Sequence, residues 1–241
     1  MKKASVKTPR VDGKETQERI KQAAQRLFAL RGVDGVTVQE IVSAAGQRNN
    51  AALHYHFGSK RDLLKELVLD GAKLIDARRQ AMLDEMEQSG AISVRALIEA
   101  LAYPLLELGK QTGEYTYIRM IASLQLTDRE LLREAVGDKW NLGYRRCLNQ
   151  LASLLSHLPD PVLQQRLSLL GIYGSAIWAA WETAADAKTT NRFWEPAHSL
   201  SNVIDTLQAV VEVGPSSTTL ELLTSTSHTE RKKNRATAAS Q

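Results

Sequence analysis

Four consecutive polar residues, Gln47, Arg48, Asn49 and Asn50, have the side chains in this sequence that are best suited to reading base edges. An arginine can donate two hydrogen bonds to O6 and N7 of guanine, and an asparagine can pair with N6 and N7 of adenine. The same four residues would also suit a solvated turn. The segments on either side of them must therefore decide between the two interpretations.

Motifs typical of enzymes and metal sites are missing from the sequence. There is no glycine-rich phosphate loop after a strand, no H-E-x-x-H and no cysteine and histidine spacing of a zinc site. The two neighbouring histidines, His54 and His56, are two residues apart and point to different sides of a helix. We therefore expect no enzyme activity, no metal and no cofactor.

The residues before the polar run have clear helix signals. Thr37 and Glu40 have the spacing of a capping box, which predicts a two-turn helix from Val38 to about Ala45. A third short helix is predicted from roughly Asn49 to Phe57, with Ala52, Leu53 and either His56 or Phe57 turned inward.

An apolar stripe from Ile20 to Phe28 predicts a first helix that begins near Gly13, behind a box of Asp12 and Glu15, and ends at Gly32. Two short helices joined by a tight turn and braced by a preceding helix are the geometry of the helix-turn-helix, whose second helix enters the major groove of DNA. These signals favour base contacts over the solvated turn.

Beyond residue 59 the sequence has helical periodicity and no strand-like alternation. Ser59 and Asp62 mark the start of a long helix, Lys60 to about Glu87, with Leu63, Leu64, Leu67, Val68, Leu74 and Ile75 on its buried side. Further helices are predicted near 92–110, 114–124, 128–157, 161–187 and 195–213. The predicted fold is all-α, with a small N-terminal tri-helical domain and a larger helical domain.

Composition divides the chain into four parts. Residues 1–12 read as a flexible basic arm, 13–59 as the helix-turn-helix domain, 60–213 as the larger domain, and 214–241, rich in serine and threonine, as a disordered tail. Residues 1–62 hold twelve lysines and arginines against six acidic residues, whereas residues 63–229 hold fifteen against twenty. A basic segment 1–62 before an acidic segment 63–229 favours a polyanionic partner for the N-terminal segment.

The sequence also predicts where the protein works. The single cysteine, Cys147, excludes an internal disulfide and fits a reducing compartment. The basic N-terminus leads into charged sequence, so we expect no secretion signal. The most apolar stretch, Leu167 to Trp181, is too short to span a bilayer. We therefore expect a cytoplasmic protein with no membrane partner.

Residues 14–74 resemble the DNA-binding domain of the TetR family of tetracycline-repressor-like regulators. The resemblance rests on Ile20-x-x-Ala23-Ala24-x-x-Leu27-Phe28-x-x-x-Gly32, Thr37-Val38-x-x-Ile41, Ala45-Gly46 and Tyr55-His56-Phe57-Gly58-Ser59-Lys60-x-x-Leu63-Leu64. One departure is the segment between Gly46 and Ala51, which has four residues where the common family pattern has three. Which side chain faces which base therefore stays open.

The resemblance implies roles for individual residues in the segment 37–57 and just after it. Thr37 would touch a phosphate, and Asn50, Ala51 and Ala52 would face bases, with Arg48 and Asn49 at the edge. His54 stands where many members carry a phosphate-contacting tyrosine. Tyr55 and His56 would contact the sugar-phosphate backbone or only pack locally, and Lys60 would meet a phosphate or remain an exposed charge.

A helix-turn-helix protein usually binds DNA as a dimer, because one short recognition helix contacts few base pairs. A strongly apolar pair of helices is our candidate for the dimer surface, and the resemblance implies a four-helix interface built from the last two helices. The alternative is that this stripe is only monomer core. The predicted interface residues are Leu170, Gly174, Ile177, Trp178, Trp181, Ile204, Leu207 and Val211.

For a ligand the sequence says less. Aromatic and methionine side chains in the larger domain are candidates for lining an apolar pocket, although such residues are more often core. The predicted set is Met86, Tyr103, Tyr117, Met120, Trp140 and Tyr144, with Arg119, Asn141 or Arg145 as polar anchors.

The sequence favours one function and leaves two alternatives open. The leading one is a sequence-specific transcriptional regulator, a homodimeric repressor that a small molecule of unknown identity releases from a palindromic operator in double-stranded DNA. The alternatives are a structural or nucleoid-associated DNA-binding protein of the same fold without an inducer, and an activator. An enzyme with a helical fold has no support in the sequence.

Overall fold

The computed structural model describes residues 13–187 and 191–225, and within these ranges all regular structure is helical, without a β-strand. The all-α prediction is confirmed. None of the helices described is long and apolar enough to cross a membrane. The helices are α1 Gly13–Arg31, α2 Val38–Ala44, α3 Ala51–Phe57, α4 Lys60–Ser89, α5 Val94–Thr112, α6 Tyr117–Thr127, α7 Arg129–Val136, α8 Leu142–Leu154, α9 Asp160–Asp186 and α10 Ser199–Glu212.

The capping box predicted at the start of α2 is present. The Thr37 hydroxyl accepts a hydrogen bond from the Glu40 N–H at 3.3 Å, and the Thr37 N–H donates to Glu40 Oε2 at 2.8 Å. Gly32 has a φ of 72°, as expected of a glycine that ends a helix. The other predicted box cannot be compared, because Asp12 lies outside the described residues, as does the whole arm 1–12. Glu15 itself pairs with Arg19 at 2.6 Å.

Several predicted elements differ from the structure. The helix expected over 128–157 is broken: α7 ends at Val136, because the φ of 53° at Gly137 does not continue a helix, and a 3-10 turn, Lys139–Asn141, precedes α8. Leu74 is exposed on α4 rather than buried.

The segment expected to be disordered beyond residue 214 contains a further helix over residues 217–225. The Ser216 hydroxyl accepts the Thr219 N–H at 3.3 Å and so caps its first turn. Residues 226–241 lie outside the described part of the chain.

The core of the N-terminal helices continues into the larger domain. Ile20, Phe28, Ile41 and Leu53 are fully buried together with side chains from α4, α6 and α7, among them Met120, Leu124 and Leu131. α1 packs on α6 as well as on α2. The boundary predicted at residue 59 therefore does not separate two hydrophobic cores, because residues from both sides of it pack in the same core.

A second core holds the rest of the larger domain together. It joins α5, α8, α9 and α10 around side chains such as Leu97, Leu151, Trp178 and Ile204. The long helix α4 contributes to both cores, since it packs on α5, α7 and α8.

The start of α6 is held by a carboxylate from α9. Glu182 is buried, and its two carboxylate oxygens accept the N–H groups of Ile118 at 3.1 Å and Arg119 at 2.8 Å. These N–H groups have no partner within their own helix. Burial raises the pKa of Glu182, while the two backbone N–H groups and Arg119 oppose that rise. α9 is thereby tied to the first turn of α6.

One glycine marks a close approach between α4 and α6. The ring of Tyr117 lies directly on Gly71, where an added Cβ would meet Tyr117 Cε2 at 2.2 Å. The Tyr117 hydroxyl donates to the carbonyl oxygen of Val68 at 2.8 Å. The bulk of an aromatic ring thus fits only because residue 71 has no side chain.

We expect Gly71→Ala to lower the free energy of unfolding by about 1–3 kcal/mol, because the new methyl group forces the Tyr117 ring or a helix to move. The gain in helix propensity, up to about 1 kcal/mol, does not offset this. Gly174→Ala is the matched control, since a Cβ there meets its nearest atom only at 3.8 Å. Urea unfolding of both variants measures the difference. A Gly71→Ala protein as stable as the Gly174→Ala protein would contradict the close contact.

Candidate nucleic-acid interface and internal cavity

The turn between α2 and α3 presents the polar run outward. Gly46 adopts a φ of 72°, and the Gln47 N–H donates to the carbonyl oxygen of Val42 at 2.8 Å, which closes the end of α2. Arg48 and Asn49 are exposed after this turn, and Asn50 is half-buried. Arg48 forms no ion pair with any residue of 13–187 or 191–225. Its guanidinium is therefore available to an external acceptor.

The two asparagines differ in what they bond. Asn49 Oδ1 accepts the N–H of Ala51, the first residue of α3, at 2.9 Å. Asn50 Oδ1 is buried without a hydrogen-bond partner in the described structure. α3 begins at Ala51, whereas the prediction placed its start near Asn49. An unpaired buried oxygen of this kind costs about 1–3 kcal/mol.

The side chains of α3 divide between core and surface. Leu53 and Phe57 are buried, while Ala51 and Tyr55 are exposed, Tyr55 to 85%. Ala52 is half-buried. The phenol of Tyr55 therefore projects into solvent.

The two histidines of α3 have different surroundings. Exposed His54 has its Nδ1 2.8 Å from the carbonyl oxygen of Gly58, which places the ring proton on Nδ1 and holds the end of the helix. His56 is half-buried, with Tyr55 edge-on at a centroid distance of 5.0 Å. Of the two residues considered for the inward position, Phe57 is the buried one.

Thr37 already bonds within the protein. Its hydroxyl donates to Glu40 Oε2 at 2.7 Å, and Arg31 holds the other oxygen of Glu40 at 2.7 Å. The backbone N–H of Thr37, then its hydroxyl, then Arg31 lower the pKa of Glu40 to about 2. A phosphate that approaches the start of α2 meets this carboxylate charge.

Lys60 requires a correction. Its Nζ donates to the carbonyl oxygens of Val33 at 2.7 Å and Val36 at 2.6 Å, and it lies 5.7 Å from the ring centroid of Phe28. Two of its three N–H donors therefore tie the start of α4 to the loop between α1 and α2, instead of facing a phosphate as expected. The helix cap that prompted the expectation is present, but the side chain turns inward from it.

A cavity of about 700 Å³ lies within the larger domain, between α4, α5, α6, the α7–α8 region and α9. Its walls are mainly aliphatic and aromatic, and include Ile75, Ile98, Ile118, Leu170 and Trp178. Charged residues at exposed positions also line it, namely Arg133, Asp138 and Arg145. Such a volume and such walls suit a small organic ligand.

Half of the predicted pocket residues line this cavity. Tyr117, Trp140 and Tyr144 do, as do the suggested anchors Asn141 and Arg145. Met120 is instead fully buried in the core shared with the N-terminal helices, and Met86 and Tyr103 pack on the second core. Arg119 pairs with Asp186 at 2.7 Å and is not a lining residue. Residue type alone therefore does not distinguish the side chains that line the cavity from those buried in the core.

Sequence reasoning missed the buried cation of the cavity, Arg79. Its side chain is only 6% exposed, and it donates from Nε to the carbonyl oxygen of Ala100 at 3.0 Å and from Nη2 to that of Leu101 at 3.2 Å. Burial lowers its pKa, the effect expected when a charge is desolvated. The available signal was its position on the buried stripe of α4, one turn after Ile75 and one before Leu83.

The predicted dimer residues also need correction. Leu170, Gly174, Trp178, Ile204, Leu207 and Val211 are buried within one protomer, and Ile177 and Trp181 pack against its core. The alternative that this stripe is monomer core therefore accounts for the six buried residues, while Ile177 and Trp181 are half-buried and stay candidates for the interface. The outward face of α9 carries a different apolar set, Ile172, Tyr173, Ala176 and Ala180, which is exposed.

No group of three or more histidine, cysteine or acidic side chains in the described ranges is arranged to hold a metal ion. The candidate site is therefore made of a polar helix-turn-helix surface and a separate internal cavity.

Comparison with known proteins identifies the N-terminal segment. Residues 20–67 match the family model described as bacterial regulatory proteins, tetR family. This segment runs from Ile20 in α1 through α2 and α3 to Leu67 in the first part of α4, and it corresponds to the helix-turn-helix DNA-binding domain of that family. A comparison with curated proteins gave no match.

Solved structures are similar over most of the chain. A proposed tetR family transcription regulator from Shewanella sp. PV-4 has 18% identity and a TM-score of 0.53, covering 80% of this chain and 96% of that chain. A HlyIIR mutant protein has 17% identity and a TM-score of 0.52, covering 83% of this chain and 98% of that chain. At these identities the likeness establishes the fold, a TetR-like arrangement of two helical units.

We expect Arg48→Ala to weaken binding to a specific duplex by roughly ten- to a hundred-fold, because a bidentate contact to guanine is lost, and to weaken binding to random DNA far less. Arg192→Ala removes the same charge from an exposed site and serves as the control. Fluorescence anisotropy with both duplexes measures the two affinities. Equal losses on specific and random DNA would exclude base reading by Arg48.

Proposed function

We propose that this chain, a TetR-family protein by its DNA-binding domain and its fold, is a homodimeric repressor that a small molecule releases from a palindromic operator. The observation that carries the proposal is the core that α1, α2 and α3 share with α4, α6 and α7. Three of these helices, α4, α6 and α7, also line the internal cavity. A ligand that shifts them acts on the surface that reads DNA.

Base reading is supported by what surrounds the turn 47–50. Arg48 is exposed and free of ion pairs among the described residues. The amide nitrogen of Asn49 remains free to donate while its oxygen accepts the Ala51 N–H, and Ala51 offers a methyl group to thymine. Tyr55 offers an exposed phenol for the sugar-phosphate backbone. Arg48, Asn49, Asn50, Ala51 and Ala52 remain our candidates for base contacts, and Tyr55 for a backbone contact.

The coupling between cavity and DNA-binding domain has a short physical route. Tyr117 lines the cavity and rests on Gly71 of α4, so a ligand against its ring acts on both α4 and α6. Next to it, Thr116 Oγ1 accepts a hydrogen bond from Gln25 of α1 at 2.8 Å.

At the other end of α6, Arg61 of α4 binds Asp128 at 2.7 Å. A ligand that favours one arrangement of α6 therefore shifts the population of DNA-binding orientations.

Dimerisation would use the outward faces of α9 and α10. Ile172, Tyr173, Ala176 and Ala180 recur at helical spacing on α9, and Thr206, Ala209 and Val213 do so at the end of α10. An exposed apolar stripe of this kind favours a partner helix face. Glu182 ties the same helix, α9, to the start of α6, so the spacing of the two DNA-binding domains would follow the position of α6.

The operator is tested by selecting binding sites for the full chain from a pool of random duplexes. We expect an enriched inverted repeat, because a two-fold symmetric dimer reads two equal half-sites about one helical turn, roughly 34–36 Å, apart. Enrichment of no sequence would contradict the proposal. Protection of many scattered sites on genomic DNA would favour the structural DNA-binding alternative.

The dimer is tested with Tyr173→Asp. We expect the dimer dissociation constant to rise about thirty-fold or more, because a charge at the centre of an apolar interface is left without a partner. Leu126→Asp, at an exposed leucine of α6 away from this face, is the control and should leave dimerisation unchanged. Sedimentation measures both, and a Tyr173→Asp variant that dimerises like the control would refute this interface.

A further inference from the structure

We infer that the cavity binds a monoanionic amphiphile, an apolar body with one carboxylate head, and that Arg79 binds the carboxylate. The inference rests on the proposed function, because it gives the chemical class of the molecule that the regulator senses.

The first step is the state of Arg79. It lines the cavity, is 6% exposed, and forms no ion pair with an acidic residue in 13–187 or 191–225. A guanidinium has five N–H donors, and two of them donate to the carbonyl oxygens of Ala100 and Leu101. Donors therefore remain for a ligand, and the folded chain has already desolvated the charge.

The second step is the nearest buried carboxylate, Asp76, which lies one turn earlier on α4. Its Oδ1 accepts the Gly143 N–H at 2.8 Å, and its Oδ2 accepts from Gln80 Nε2 at 2.6 Å. Asp76 thus holds the start of α8 and is not among the lining residues. It moderates the field of Arg79 without occupying its N–H groups.

The third step excludes a cationic ligand. Asp138, the acidic residue that lines the cavity, has its side chain 97% exposed and already pairs with Arg145 at 2.9 Å. Two of the aromatic rings of the wall already have a cation nearby, since Lys139 and Lys73 lie 4.6 and 5.7 Å from the Trp140 ring and Arg79 lies 5.9 Å from that of Tyr144. A positive head would meet the buried charge of Arg79, and no unpaired carboxylate lies among the lining residues.

The fourth step concerns the body of the ligand and the charge of its head. The walls around Arg79 are aliphatic and aromatic. Burial of an apolar ligand body against them removes apolar surface from water, which lowers the free energy of binding. One buried guanidinium matches one negative charge, and its fork matches the two oxygens of a carboxylate. The other arginines of the wall, Arg133 and Arg145, are paired with Glu130 and Asp138 at exposed positions.

The experiment compares ligands that share a body and differ in the head. Calorimetry with the full chain, below the aggregation concentration of each probe, uses dodecanoate, 1-dodecanol and dodecylammonium, and separately 2-naphthoate and 2-naphthamide. We expect at least one carboxylate to bind roughly ten- to a hundred-fold more tightly than the uncharged molecule with the same body. Uncharged probes that bind as tightly as both carboxylates, or no binding of either carboxylate, would overturn the inference.

The variants assign the preference to Arg79. In Arg79→Met the carboxylate and the uncharged probe should bind within about three-fold of each other, whereas Arg79→Lys should keep a preference for the carboxylate. Arg78→Met removes the neighbouring, exposed arginine that pairs with Glu107 and should leave the preference unchanged. A preference that survives in Arg79→Met would overturn the assignment. If Arg79→Met does not fold, the preference for the carboxylate in the unchanged chain and in Arg79→Lys still tests the inference.

A separate measurement keeps the ligand class apart from the proposed repressor mechanism. Release of the full chain from its selected operator is followed by anisotropy with the same probes. If a carboxylate binds in a way that depends on Arg79 but does not release DNA, the inference about the ligand is supported. The proposal that a ligand releases the protein from its operator is then contradicted. Release by 1-dodecanol as effective as by dodecanoate would support release and overturn the ligand class.

Discussion

The constraint on which the rest of the structure depends is that α2 and α3, with seven residues each, are too short to be stable as isolated helices. They hold their shape because Ile41, Leu53 and Phe57 are buried against a core that includes α4, α6 and α7. The orientation of the helix-turn-helix surface is therefore fixed by packing against α4, α6 and α7. Every displacement of α6 or α7 must be accommodated at the helix-turn-helix.

The same constraint explains the polar contacts where the helices meet. Lys60 binds two carbonyl groups of the loop before α2, Lys21 of α1 binds Glu66 and Asp70 of α4, and Arg61 reaches Asp128. Exposed ion pairs contribute little to stability, but their geometry fixes the rotation of one helix about another. These contacts lie between the part of the chain that would meet DNA and the part that encloses the cavity, which is where rotation matters for function.

Most of the N-terminal domain could be predicted from sequence, because its signals are local. The box at Thr37 and Glu40 and the glycine ends of α1 and α2 depend only on neighbouring residues. The orientation of Lys60 and the identity of the cavity wall could not be predicted in this way, since they depend on contacts between distant segments. The apolar stripes of α9 and α10 likewise predict a buried face and leave open what buries it, because periodicity does not distinguish burial within one chain from burial by a partner.

Buried polar groups complete the argument, because their partners separate structural from ligand-binding roles. Glu182 has both oxygens occupied by the first turn of α6, and Asp76 has both occupied by Gly143 and Gln80. Removing either would leave backbone donors unpaired, so each maintains a joint between helices. Arg79 is buried to a similar degree, yet its bonds go to neutral carbonyls and its charge faces an apolar cavity. A desolvated charge that has no ion-pair partner in residues 13–187 and 191–225 is costly to the empty protein, and a bound anion offsets that cost.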